Sequence, residues 1–223
     1  MNKKCLIVGG TASIAPYLIN ELNQNAYSVD LTYSNIENFK NANKYEDRNV
    51  SWFYLDLKNK ESLDNLINEI PNSHYSIVII LSMTAPGDFL ENTDKELRDF
   101  YGNYLVNNML LGKYLLDKIT DNGKIVYISS VAGNRPVPSI NYSTLKGALQ
   151  SFYMSLSTKV RPPQIVLTVI PGLIYDTPAF YRHNPIVYNN DVSKLTTKKE
   201  IFDLILTSSG KDNGAVIRLG KDW

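Results

Sequence analysis

Short apolar runs rich in β-branched residues alternate with helix-patterned segments along almost the whole chain, and this alternation constrains the fold more than any single motif does. It predicts strands at 5–8, 28–33, 51–55, 77–81, 125–128, 165–170 and 215–219. Between them it predicts helices at 14–24, 60–69, 94–120 as one element or two, 142–160 and 198–206. Continuous apolar strands are those buried on both faces, as in parallel sheets. Strand and helix in alternation are joined by right-handed crossovers. The expected fold is therefore α/β, a Rossmann-type doubly wound parallel sheet flanked by helices. A chain of 223 residues fits a single domain, 1–223, with a sizeable core. The stretch 173–195, carrying Pro178 and Pro185, has weak periodicity and is read as a substrate lid or a plain surface excursion.

Net charge is +1 and charged residues make up 20% of the chain, with both signs interspersed, so no basic face points to nucleic acid or to an anionic membrane. No apolar run is long enough to span a bilayer. A small molecule is the expected partner. The single cysteine, Cys5, sits in an apolar strand and allows no disulfide within the chain, which suits a reducing cytoplasm. Lys3 and Lys4 precede an apolar stretch too short for the core of a signal peptide. His74 and His183 are far apart with no ligand cluster at metal spacing, so no metal site is expected.

One segment, KIVYISSVAGNRPVPSINYSTLKGALQSFY from Lys124 to Tyr153, carries chemistry. A buried strand delivers Ser129 and Ser130 to its carboxyl end, a Gly/Pro-rich loop follows, and a helix opening near Asn141 presents Tyr142 and Lys146 on one face. Tyr-x-x-x-Lys also occurs at Tyr54/Lys58 and Tyr114/Lys118, but only Tyr142/Lys146 follows a strand ending in serine. An ammonium one helical turn away favours the phenolate and should bring the tyrosine toward a working pKa. A serine hydroxyl can hold a carbonyl or alcohol oxygen while the tyrosine moves the proton, and the hydride is left to a cofactor. Gly9, Asp56, Ser82, Ser130 and Pro171-Gly172 all follow strands, at the edge where doubly wound sheets bind ligands.

These segments, VGGTASIA, YLDLKNKESL, ISSVAG with NYSTLK, and IPGLIYDTP, make the chain resemble the short-chain dehydrogenase/reductase family over nearly its whole length. The resemblance implies Ser130 as catalytic serine, Tyr142 as proton donor and Lys146 as its partner. It also implies a relay asparagine, for which spacing to Ser130 favours Asn103 and the Leu-Val-Asn pattern favours Asn107, with Asn108 adjacent. The cofactor contacts it implies are Gly9, Thr11, Ser13, Ile14, Ser34, Asp56, Leu57, Ser82, Tyr142, Lys146, Pro171, Gly172 and Thr177. Asp56 would meet adenine, with capping of the next helix as its alternative role. Thr177 would touch the nicotinamide carboxamide.

The chain departs from the family's Gly-x-x-x-Gly-x-Gly, keeping Gly9 but placing Ser13 and Ala15 at the other two positions. The family's Asn-Asn-Ala-Gly after the fourth strand is replaced by Leu81-Ser82-Met83-Thr84. No acid ends the second strand at Tyr33-Ser34-Asn35, and Asp30 is read as mid-strand and outward-facing, which favours NADP over NAD. The resemblance implies an NADP-preferring oxidoreductase acting on the carbonyl or alcohol of a small metabolite, a sugar or a thioester-bound keto group. A non-catalytic dinucleotide-binding sensor or scaffold, and an epimerase or dehydratase with tightly held cofactor, are the competing readings. Apolar residues on the helices from Asn103 and Tyr142 predict a homodimer or homotetramer.

Overall fold

The computed structural model describes residues 3–42, 50–81, 89–187 and 192–220. The chain runs β1 (Lys3–Val8), α1 (Ala15–Gln24), β2 (Tyr27–Tyr33), α2 (Ile36–Ala42), β3 (Val50–Tyr54), α3 (Lys60–Glu69), β4 (Tyr75–Leu81), α4 (Asp94–Phe100), α5 (Asn107–Leu115), β5 (Ile119–Ile128), α6 (Ile140–Leu156), β6 (Ile165–Pro171), α7 (Pro178–Val187), α8 (Lys198–Thr207) and β7 (Val216–Leu219). The strands form one parallel sheet in the order β3-β2-β1-β4-β5-β6-β7. Chain order reverses between β1 and β4, which opens a crevice at their carboxyl ends.

Successive strand residues point to opposite faces, so each strand feeds two cores. Leu6, Val8, Val78, Ile80, Ile125 and Tyr127 pack under α3, α5 and α6 through Leu63, Leu111, Leu149 and Tyr153. Cys5, Ile7, Val29, Leu31, Ile77 and Ile79 pack under α1 and α8 through Leu18, Leu22, Ile201 and Ile205. Truncating a fully buried leucine such as Leu18 to alanine would cost about 2–5 kcal/mol.

The structure corrects three expectations. Asp30 does not face outward: it is 1% exposed, accepts a hydrogen bond from the Tyr75 hydroxyl at 2.7 Å and pairs with Lys4 at 2.9 Å. A strand inside a doubly covered sheet has no solvent face, so a mid-strand carboxylate must find partners inside. The helical stretch expected over 94–120 ends at Leu115, and Ile119 and Thr120 open β5, where Ile119 pairs with Tyr75. Between α4 and α5 the backbone widens into a π-helical turn, Tyr101–Val106. Two helices were not foreseen. Asn35 caps α2 by accepting from the Glu37 and Asn38 amides at 2.8 and 3.0 Å, and α7 lies within the stretch read as a lid. Among the described residues, no helix is long and apolar enough to cross a membrane.

Candidate active site

The turn after β1 is built on two glycines. Gly9 has φ +89°, and a Cβ there would come within 3.3 Å of the Leu81 carbonyl oxygen. A Cβ on Gly10 would meet the Leu31 Cβ at 2.8 Å and the Trp52 ring at 3.0 Å, so this position requires glycine as well. Thr32 of β2 fastens the turn, its hydroxyl accepting from the Gly9 amide at 2.9 Å and its carbonyl from the Gly10 amide at 2.8 Å. Ala15 is fully buried, so the methyl at the family's third glycine position is accommodated in the core of α1. α1 starts without a side-chain cap and with Pro16 in its first turn, and its Ala15 amide donates to the Ala12 carbonyl at 2.9 Å.

In front of this turn lies a cleft of about 530 Å³, within the usual range for a small-molecule site. Gly9, Thr11, Ser13, Ser34, Asp56 and Leu57 line it, as does Asn108. Ile14 is buried beneath the turn instead. Ser82 and the Met83-Thr84 pair lie outside the described residues. Asp56 does not cap α3, because Asn59 does so by accepting from the Glu61 amide at 2.9 Å. One Asp56 oxygen accepts from the Lys58 amide at 2.9 Å, holding the carboxylate at the cleft. Lys58 also lines the cleft, lies 5.8 Å from the centre of the Tyr104 ring and has its pKa raised chiefly by its interaction with that tyrosine. No carboxylate from the end of β2 lines the cleft; Ser34 and Asn35 do.

Beside the cleft, β5 delivers the two serines, and they part company. Ser129 is 5% exposed, and its hydroxyl accepts from the Gln150 amide at 2.8 Å. Ser130 is half-buried and caps the single helical turn Val131–Gly133, accepting from the Ala132 amide at 3.2 Å. Its hydroxyl also acts on the Tyr142 phenol, favouring the phenolate. α6 clasps the loop at two further points that the sequence did not signal. Gln150 donates to the Ser130 carbonyl at 3.0 Å, and Ser143 donates to the Ala132 carbonyl at 2.7 Å. A Cβ on Gly133 would sit 2.6 Å from the Gln150 amide nitrogen, so that glycine is what admits the clasp.

Lys146 is 1% exposed, and its ammonium lies 5.0 Å from the centre of the Tyr142 ring and 5.9 Å from that of Tyr127. Burial brings its pKa down to about 7. Burial likewise pushes the Tyr142 phenol up, and the Ser130 hydroxyl offsets only part of that. The Lys146 ammonium is expected to bring the tyrosine toward a working pKa, whereas burial holds the phenol above its ordinary value. Desolvation disfavours both ions, and Ser130 favours the phenolate.

The three asparagines separate too. Asn107 is buried and donates to the Leu57 carbonyl at 2.7 Å, bracing the turn that carries Asp56. Asn108 reaches the cleft, and its carbonyl and amide oxygens each lie 3.4 Å from the hydroxyl of the fully buried Tyr153. Asn103 sits half-buried within the π turn and does not line the cleft.

Pro171 ends β6 and Gly172 follows it, one strand over from Ser130. The Thr177 hydroxyl donates to the Ile174 carbonyl at 2.8 Å and accepts from the Phe180 amide at 3.2 Å, capping the first turn of α7. Its side chain is thus occupied locally. Among the described residues, no group of three or more metal-ligating side chains gathers.

The family model for short chain dehydrogenase matches residues 3–185. The chain belongs to the short chain dehydrogenase family. Among curated relatives it is 28% identical over 206 residues to 3-oxoacyl-acyl-carrier-protein reductase FabG of Buchnera aphidicola subsp. Schizaphis graminum, covering 88% of this chain and 83% of that one. The same reductase of Haemophilus influenzae is 26% identical, over 77% of this chain and 74% of its own. Solved structures share the fold. BdcA in complex with NADPH superposes with a TM-score of 0.79 at 17% identity, covering 98% of this chain and 93% of its own. ElxO with NADP bound gives 0.75 at 22%, covering 98% and 97%. Family membership places the chain among NAD(P)-dependent oxidoreductases.

Proposed function

We propose that this short chain dehydrogenase is an NADP-preferring reductase of a 3-oxoacyl thioester, converting the keto group to an alcohol. The observation that carries the reading is the convergence of Ser130, Tyr142 and Lys146 beside a cleft that begins at the Gly9 turn. The cleft suits a dinucleotide. Its turn is stripped of side-chain bulk at Gly9 and Gly10, it lies by the uncapped start of α1, and the Ser13 hydroxyl lines it where the family's middle glycine stands. The 2′-phosphate preference is supported by the absence of a carboxylate from β2 among the lining residues and by the exposed Ser34. The thioester is suggested by the curated relatives' own activity.

A nicotinamide dinucleotide bound there supplies the hydride. The protein's part is to hold and protonate the substrate oxygen. The Ser130 hydroxyl holds the carbonyl oxygen, and the Tyr142 phenol gives it a proton as it gains charge. The Ser130 hydroxyl favours the phenolate left behind, and the Lys146 ammonium, 5.0 Å from the ring centre, adds its charge when protonated. Asn108, the asparagine at the cleft, takes the relay role. Asn107 is a brace.

Loss of nicotinamide absorbance with a panel of 3-oxoacyl thioesters, simple ketones and sugars tests this. Turnover of thioesters with NADPH is expected, and it should vanish in Tyr142→Phe. Turnover of sugars alone would replace the substrate assignment, and undiminished turnover by Tyr142→Phe would remove the proton donor.

A further inference from the structure

Thr196 lies outside both the cleft and the trio, yet every polar group it has is engaged at the turn after β6. It is 0% exposed. Its amide donates to the Leu173 carbonyl at 3.0 Å, and its carbonyl accepts from the Tyr175 amide at 2.9 Å, forming a parallel bridge with Ile174. Its hydroxyl donates to the Leu219 carbonyl at 2.9 Å and accepts from the Gly172 amide at 3.0 Å. The hydroxyl is wedged where two glycines leave room. A Cβ on Gly172 would come within 3.3 Å of it, and one on Gly220, where φ is +104°, within 3.1 Å.

The position of Thr196 is set from the far side. Thr197 begins α8 with reciprocal bonds, accepting from the Glu200 amide at 3.1 Å while the Glu200 carboxylate accepts from the Thr197 amide at 2.7 Å. α8 is locked into the core by Ile201, Phe202 and Ile205. Lys198 on the same turn reaches Asp176 at 3.1 Å, tying the segment that leaves the turn to the same helix. A rigid helix thus presents one hydroxyl to the turn beside the catalytic strand. A buried hydroxyl with both a donor and an acceptor partner fixes backbone direction more sharply than apolar packing does.

We infer that Thr196 is a positioning residue that holds the Pro171–Gly172 turn, which the family resemblance implies flanks the nicotinamide, without itself touching the ligand. The inference rests on the dinucleotide reading of the cleft. Valine at this position keeps the shape and removes the hydroxyl, leaving the Gly172 amide only its bond to Leu219 at 2.9 Å.

The test is calorimetric binding of two probes to wild type, Thr196→Val and Thr196→Ser. NADPH spans the whole site, whereas 2′-phospho-ADP-ribose lacks the nicotinamide. Thr196→Val should bind NADPH roughly three- to tenfold more weakly, the worth of one buried hydrogen bond, and 2′-phospho-ADP-ribose as wild type does. Thr196→Ser should return NADPH affinity to within about twofold, since a hydroxyl is restored. If the valine variant does not fold, Thr196→Ala removes the same hydroxyl without added bulk and is read the same way. Equal NADPH affinity in wild type and the hydroxyl-free variant overturns the inference, and so does equal weakening of both probes. Failure of wild type to bind either probe overturns the dinucleotide reading itself.

Discussion

An amine buried without a carboxylate partner costs stability only while it is charged, which makes Lys146 a measurable quantity. Its pKa falls from 10.5 in water to about 7 in the folded protein, through burial. Below pH 7 the lysine is charged in both states, and the folded state bears the full cost. Between 7 and 10.5 the unfolded chain holds a proton that the folded chain does not, so wild-type stability rises with pH at about 1.4 kcal/mol per pH unit. Above 10.5 both states are neutral and the cost is gone. The whole span is at most about 5 kcal/mol. Lys146→Met removes the titration while filling similar space. It should therefore melt above wild type at pH 6.5, with the gap closing by about 2–3 kcal/mol between pH 7 and 9. For a chain of this size that is about 5–10 °C in Tm. Melting both proteins across pH 6.5 to 9 at constant ionic strength cancels every other titration common to the two. A gap that does not change with pH, or a methionine variant that melts below wild type at neutral pH, would refute the reasoning.

Three further outcomes follow from particular contacts. Ser130→Ala should lower kcat at least a hundredfold, whereas Ser129→Ala, whose hydroxyl serves Gln150, should act mainly on stability; steady-state kinetics that reverse this ranking would show the wrong serine was chosen. Asp30→Asn should cost about 1–3 kcal/mol in urea unfolding, because it strips the partly buried Lys4 of its carboxylate; an unchanged midpoint would contradict the role given to that pair. The exposed Val106, Met109 and Met154 on the outer faces near α5 and α6 call for cover by a second copy, so light scattering at micromolar concentration should give a dimer or tetramer mass rather than a monomer.

Strand positions were legible because β-branched apolar runs in a doubly covered sheet carry their own signal, and all seven were anticipated to within a few residues, apart from the early start of β5. What escaped depends on partners distant in sequence. The environment of Asp30 is set by Lys4 and Tyr75 from two other strands, and the π turn at Tyr101–Val106 carries no compositional mark. α2 and α7 are short or proline-bearing helices whose caps, Asn35 and Thr177, act through single side chains. At the site, residue types and spacing exposed Ser130, Tyr142 and Lys146. The clasp from Gln150 and the pin from Thr196 are ordinary polar residues whose roles appear only once helices and loops meet.

The central claim is that the cleft at Gly9 takes a nicotinamide dinucleotide despite Ser13 and Ala15. Titration calorimetry of the wild-type protein with NADPH and with NADH tests it most directly. Saturable one-to-one binding of NADPH is expected, with NADH weaker and with NADPH stabilising the fold by about 2.7 kcal/mol at a hundredfold excess over Kd. Tighter binding of NADH would reverse the cofactor preference alone, and no saturable binding of either nucleotide would contradict the account.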